Sequence, residues 1–165
     1  MYAVRINEKS IKLAKEKSLE MGELHNSIRA GKGNLIGFLG EILLAKEFGC
    51  DIVNTYDYDL ICKQKFKIDV KTKECTSPPR PYYNCTVADF NTKQKCDIYA
   101  FVRIKSDLSM AWLLGWVRKE TFYQKAKFFK KGQVDPQSDL RPPFKFRADC
   151  YNIKISELNT FKGIK

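Results

Sequence analysis

The spacing of apolar and polar positions changes several times along the chain. Residues 9–28 carry Ile11, Leu13, Ala14, Leu19, Met21 and Leu24 among charged positions, which predicts a surface helix. Gly31, Lys32 and Gly33 break that pattern. From 35 to 48, Leu35, Phe38, Leu39, Ile42, Leu43 and Phe48 recur at helical intervals, with Asn34 placed as N-cap and Gly49 as the stop. Glu41 stands in the middle turns of this helix, beside Gly37 and Gly40, which would let another backbone approach closely.

Beyond Gly49 the period shortens. Residues 58–62 and 66–72 predict two strands joined at Lys63-Gln64-Lys65, near enough in sequence to pair as a hairpin. The Pro-rich stretch 76–81 cannot lie in a central strand. A third strand is predicted at 82–87, a short crossover helix at 88–95, and at 97–104 an apolar strand of the kind buried on both faces. A strand at 110–117, a basic helix at 119–129, a long connection at 134–144 and a strand at 151–155 with a turn at 156–158 complete the chain. This order predicts an α/β fold with a mixed central sheet flanked by helices. It forms one domain over 1–165, with a core at about 35–117, an N-terminal helix and a C-terminal helix and strand extension. There is no internal repeat.

Composition narrows the class. Of 165 residues, 44% are hydrophobic, enough to fill a core and to exclude a disordered or collagen-like chain. The longest strongly apolar run, 111–117, is far short of the roughly 20 residues of a membrane helix, and the N-terminus lacks an apolar leader. A soluble, unexported, cytoplasmic protein without a membrane partner is expected. The six cysteines are scattered without a C-x-x-C pair, and His25 is the single histidine, so zinc-finger spacing and a dense disulfide framework are both absent. Reduced thiols and a structural His25 are expected. Lys and Arg number 30 against 19 Asp and Glu, a formal charge of +11. That surplus attracts polyanions, nucleic acid foremost. Lys125, Lys127, Lys130 and Lys131 interleave with Phe122, Tyr123, Phe128 and Phe129, a pattern open to a solvated helix face or to phosphate contact.

Three acids and a lysine carry the candidate chemistry. Residues i and i+2 of a strand share a face, so Asp69 and Lys71 project side by side, and the hairpin can bring Asp59 within reach. Carboxylates grouped in this way repel one another, and a divalent cation removes the repulsion. Oxygen ligands favour Mg²⁺ or Mn²⁺ over zinc. Other readings stay open: Asp57 rivals Asp59, Asp69 with Lys71 could be an ordinary surface pair, and Glu41 could face solvent. Lys73 reads as a phosphate contact or a solvated lysine.

Glu41, then Asp59, then Asp69-Val70-Lys71, set on helix, strand and strand, resemble the PD-(D/E)XK nuclease superfamily, which includes restriction enzymes, phage exonucleases and junction resolvases. The further order of strand 82–87, helix 88–95 and strand 97–104 is similar to its αβββαβ, restriction-endonuclease-like core, so the likeness covers about 35–104. Tyr58 stands where proline is common before the first strand acid, and Asp69 where Glu is commoner before the lysine. The resemblance implies a Mg²⁺- or Mn²⁺-dependent, phage-type nuclease that hydrolyses phosphodiester bonds in DNA. It implies that Asp59, Asp69 and the Val70 carbonyl hold the metal, with Glu41 a further ligand. Lys71 would then position water or offset charge at phosphorus. Lys93 and Gln94 correspond to residues some members add from the crossover helix. Nucleic-acid contacts are expected from Lys73, Arg80, Lys93, Gln94 and Lys95, and a homodimer is left open because duplex cleavage in this superfamily often uses one. Two further readings are a catalytically weak nucleic-acid-binding module of the same fold and a basic inhibitor or adaptor for an acidic protein.

Overall fold

A computed structural model of the chain describes residues 1–21, 34–136, 138 and 142–161. Helix α1 (Glu8–Met21) starts where Asn7 Oδ1 accepts the Ser10 N–H at 2.9 Å, a side-chain cap on an otherwise orphaned donor. Helix α2 (Asn34–Phe48) buries the continuous run from Phe38 to Ala45, Glu41 included. It ends at Gly49, whose φ of +65° turns the chain so that the Cys50 N–H reaches the Ala45 carbonyl at 3.0 Å.

The strands are β1 (Tyr2–Arg5), β2 (Asp51–Ile52), β3 (Leu60–Ile61), β4 (Lys67–Cys75), β5 (Asn84–Ala88), β6 (Ile98–Lys105), β7 (Met110–Arg118), β8 (Lys127–Phe129) and β9 (Cys150–Lys154). Six form a mixed sheet in the order β1-β7-β6-β4-β3-β2, in which β4 and β6 run parallel and every other pair antiparallel. The other three form a second, antiparallel sheet, β5-β9-β8. Successive residues of β6 serve two cores: Ile98, Ala100, Val102 and Ile104 pack with Leu39 and Leu43 of α2, while Tyr99 and Phe101 pack with Val87, Ile153 and Phe122. Phe122 lies on α3 (Lys119–Lys125). The central sheet therefore has α1 and α2 on one face, and α3 and the small sheet on the other.

The α/β class and the mixed sheet flanked by helices are present as expected, and several elements differ. Residues expected as the third core strand lie in β5, which pairs with β9 and not with the central sheet. Segment 88–95 forms a five-residue 3-10 turn (Asp89–Lys93) in place of a helix, in the connection between β5 and β6, two strands that belong to different sheets. The basic helix ends at Lys125, and the chain continues as β8. Strands β1 and β2 carry too few residues to show a period. Gly40 does allow a close approach: a Cβ there would lie 2.0 Å from Thr72 Oγ1 of β4. Gly37 has nothing within 4 Å of that position, so its expected role falls away. The end of the N-terminal helix expected at 22–28, and His25 with it, lies outside the described residues. All six thiols are free. Among the described residues, no helix is long and apolar enough to cross a membrane.

Candidate active site

The site begins where β3 leaves β4. The two strands pair for only Leu60↔Ile68 and Ile61↔Lys67. The Asp59 N–H still donates to the Ile68 carbonyl at 2.9 Å, and there the main-chain ladder stops. Asp59 continues it with its side chain: Oδ2 accepts the Val70 N–H at 2.7 Å. A carboxylate thus satisfies a strand donor that the short partner leaves open, and is fixed against β4 in doing so.

One residue either side of Val70, Asp69 and Lys71 share the opposite register of β4, and Lys71 Nζ lies 2.7 Å from Asp69 Oδ2. That buried oxygen nonetheless receives no hydrogen bond of acceptable direction. Lys71 Nζ also donates to Gln94 Oε1 at 3.2 Å, and Gln94 Nε2 donates to the Tyr56 carbonyl at 2.9 Å. Lys119 Nζ, at the start of α3, donates to the main-chain carbonyl of Gln94. Glu41 arrives from α2. With the Asn54 amide oriented to suit its neighbours, Nδ2 donates to Glu41 Oε2 at 2.9 Å and Oδ1 accepts from Lys17 Nζ at 3.1 Å. Asn54 has φ +46°, a conformation asparagine tolerates better than most residues.

Electrostatics bind these groups into one cluster. Burial pushes the Glu41 carboxyl up to about 7; Lys17 opposes the rise, Asp69 adds to it and Lys71 opposes it. Burial also holds Asp59 well above the usual carboxylate range, reinforced by Asp69 and Glu41 and opposed by the Val70 N–H and Lys71. Among the described residues, no three Asp, Glu, Cys or His side chains stand in an arrangement that holds a metal ion.

Glu41, Asp59, Asp69, Lys71 and Gln94 therefore come together, with Val70 between the two β4 residues. Asp57 is engaged elsewhere, its Oδ1 accepting the Lys95 N–H at 3.1 Å, so of the two rival aspartates only Asp59 meets the β4 acid. Lys93 and Lys95 flank Gln94 and are exposed. Lys73 is exposed farther along β4, with Nζ 5.9 Å from the Phe144 ring centroid. Arg80 lies in the loop that follows the end of β4 at Cys75, and its side-chain hydrogen bond among the described residues goes to Tyr82 Oη and not to the residues of the site. Sequence reading missed Lys17, Asn54, the Tyr56 carbonyl and Lys119. Lys17 and Lys119 carry no signal, being lysines among many; Asn54 is an asparagine suited to a left-handed turn. No protein-family model matches the sequence, and no curated protein matches it.

Proposed function

We propose that this chain is a metal-dependent nuclease of the PD-(D/E)XK type, hydrolysing phosphodiester bonds, with DNA as substrate. The observation that carries the reading is the convergence of Glu41, Asp59 and Asp69 on Lys71 from one helix and two strands, at the point where β3 leaves β4. The succession α2, β2, β3, β4 and then, after a connection, the parallel strand β6 supports the αβββ part of such a core and its parallel last strand, displaced by one strand from that expected, with a 3-10 turn where the second helix was expected. In it, β5 belongs to the connection.

The donor set fits Mg²⁺ or Mn²⁺. It is all oxygen, and the charge of Asp69 raises the proton affinity of both Glu41 and Asp59, a crowding of acids that a cation relieves. Asp59, Asp69, the Val70 carbonyl and Glu41 would hold the ion, which when bound supplies Lewis-acid stabilisation of charge on the phosphoryl oxygens. Lys71, steadied by Gln94, donates from Nζ to the attacking water or to a non-bridging oxygen. The water oxygen forms the new bond to phosphorus as the bond to the leaving alkoxide breaks; the proton that the water loses passes to solvent, and the alkoxide takes one up from solvent. The basic surface grips the phosphate backbone.

A second reading, a nucleic-acid-binding module of the same fold with little turnover, is favoured by one feature: Lys71 Nζ lies 2.7 Å from Asp69 Oδ2, so the lysine itself neutralises the acid that a metal would need. Cleavage of labelled linear, circular, single-stranded and branched DNA with Mg²⁺, Mn²⁺ or EDTA separates the two. Metal-dependent products lost in Lys71→Ala and Asp69→Ala are expected. Binding without cleavage by the wild type selects the module, and cleavage that survives both substitutions removes the proposed site.

A further inference from the structure

The rim of the site is aromatic as well as basic. Tyr56 is 70% exposed, although its own main chain is fixed. Its carbonyl accepts the Gln94 amide at 2.9 Å, and it sits in a tight turn in which the Thr55 N–H and Oγ1 both donate to the Tyr58 carbonyl, at 3.0 and 2.8 Å. The Tyr58 N–H donates back to Thr55 Oγ1 at 3.0 Å. A ring held in water on so constrained a turn buries little of its surface in the free protein, and it stands next to the residue that touches Lys71.

Just before Gln94 in the chain, the 3-10 turn Asp89–Lys93 exposes a second ring, Phe90, at 44%. Residues three apart in a 3-10 turn lie on one line, so Phe90 and Lys93 share a face. Lys95, exposed, has its N–H tied to Asp57, which fixes the backbone on the Tyr56 side. Two exposed lysines thus flank Gln94, with the exposed ring of Phe90 four residues before it and Tyr56, its ring exposed, tied to it through the Tyr56 main-chain carbonyl. Aromatic platforms interleaved with cations are the means by which proteins hold unpaired nucleic acid, because each base has a face to stack and each phosphate a charge to meet. A duplex keeps its bases stacked on one another and has no free face for either ring.

We infer that the mouth of this site takes an unpaired nucleic-acid strand, with bases stacked on Tyr56 and Phe90 and phosphates met by Lys93 and Lys95. The inference deepens the nuclease reading and rests on it for the identity of the site, while its test reads binding alone. The experiment is fluorescence anisotropy of the full chain in EDTA, with a labelled single-stranded oligonucleotide and a duplex of the same sequence. Tighter binding of the single strand is expected. Tyr56→Ala and Phe90→Ala should each weaken it by roughly tenfold, with Tyr56→Trp retaining affinity. Lys93→Ala and Lys95→Ala should each lower the slope of log affinity against log salt by about 0.7. Circular dichroism of each variant guards against loss of fold. Equal or tighter duplex binding, or alanine variants that stay folded and bind the single strand as the wild type does, overturns the inference. Because no cleavage is read, an inactive protein that binds in this way overturns the nuclease reading and leaves the rim intact.

Discussion

At the scale of single residues, the free energy of the site is set by carboxylates kept away from water. Glu41 has an ordinary carboxyl value of 4.5 when unfolded and about 7 when folded, so the native state holds its proton the more tightly. The stabilisation that comes with the neutral acid is complete below about pH 4.5 and is lost as pH rises through about 7. Above that, ionised Glu41 lies buried beside Asp69 and Asp59, offset by Lys17, Lys71 and the Asn54 amide. Glu41→Gln keeps the shape and removes the charge. In EDTA at pH 8 the variant should therefore be more stable than the wild type by on the order of 3 kcal/mol, and the gap should close at pH 4.5. Denaturant unfolding at a series of pH values measures this, and parallel curves for the two proteins would rule it out. Lys17 and Asn54 act on the same acid from outside. Removing the ammonium, as in Lys17→Met, takes away the largest influence that favours ionised Glu41. Mg²⁺ affinity measured by calorimetry at pH 7 should fall severalfold, whereas unchanged affinity would separate Glu41 from the metal.

At the scale of elements, the site depends on how closely α2 lies on β4, and that distance is set by Gly40. A Cβ at position 40 would meet Thr72 at three atoms, Oγ1 at 2.0 Å and Cβ and Cγ2 at 3.0 Å. Contacts that short force the helix off the strand, and overpacking of this kind costs about 1–3 kcal/mol. Gly40→Ala should be destabilised by that amount, and Thr72→Ala in the same chain should recover most of it, since Thr72 Oγ1 has no hydrogen bond to lose. Equilibrium unfolding of the two single variants and the double variant tests the coupling, and additive losses would place the strain elsewhere. Gly37 and Gly40 stand out together in the sequence and only Gly40 meets a neighbour, because glycine in an apolar helix marks where a close approach is possible and not where one occurs. The pair Asp69 and Lys71 was legible because period 2 fixes which side chains share a face. The partnership of β5 was not legible. Its alternation is that of any strand, and its partner β9 lies over sixty residues away, so no local pattern distinguishes the small sheet from the central one. The role of Asp59 as a ladder acceptor was hidden for a related reason: it exists only because β3 is two residues long.

At the scale of the whole molecule, two cores share one sheet, and β7 shows how closely they are joined. Its register against β6 slips between Phe101 and Val102, leaving Leu114 as the extra residue. Such a bulge reverses the alternation that follows. Trp112 thus packs in the core of α3 and the small sheet, whereas Trp116 packs against the core of the two helices. The C-terminal segment adds to the second contact: Trp116 exchanges main-chain hydrogen bonds with Asn159, its Nε1 donates to the Thr160 carbonyl at 2.9 Å, and Phe161 stacks on Phe48 of α2 at 4.6 Å. The end of the chain thereby ties β7 to the helix that carries Glu41. Neither face can open without exposing the apolar side chains that β6 and β7 send to it, so one cooperative transition is expected. Trp112→Phe and Trp116→Phe each leave one fluorophore, reporting on a different core. In urea, both should unfold with midpoints that agree with the helical signal after correction for each variant's own stability. Separate midpoints within one variant, fluorescence against circular dichroism, would show that the two layers fold independently. The helix that carries Glu41 could then part from the strand it packs on without the rest of the molecule unfolding.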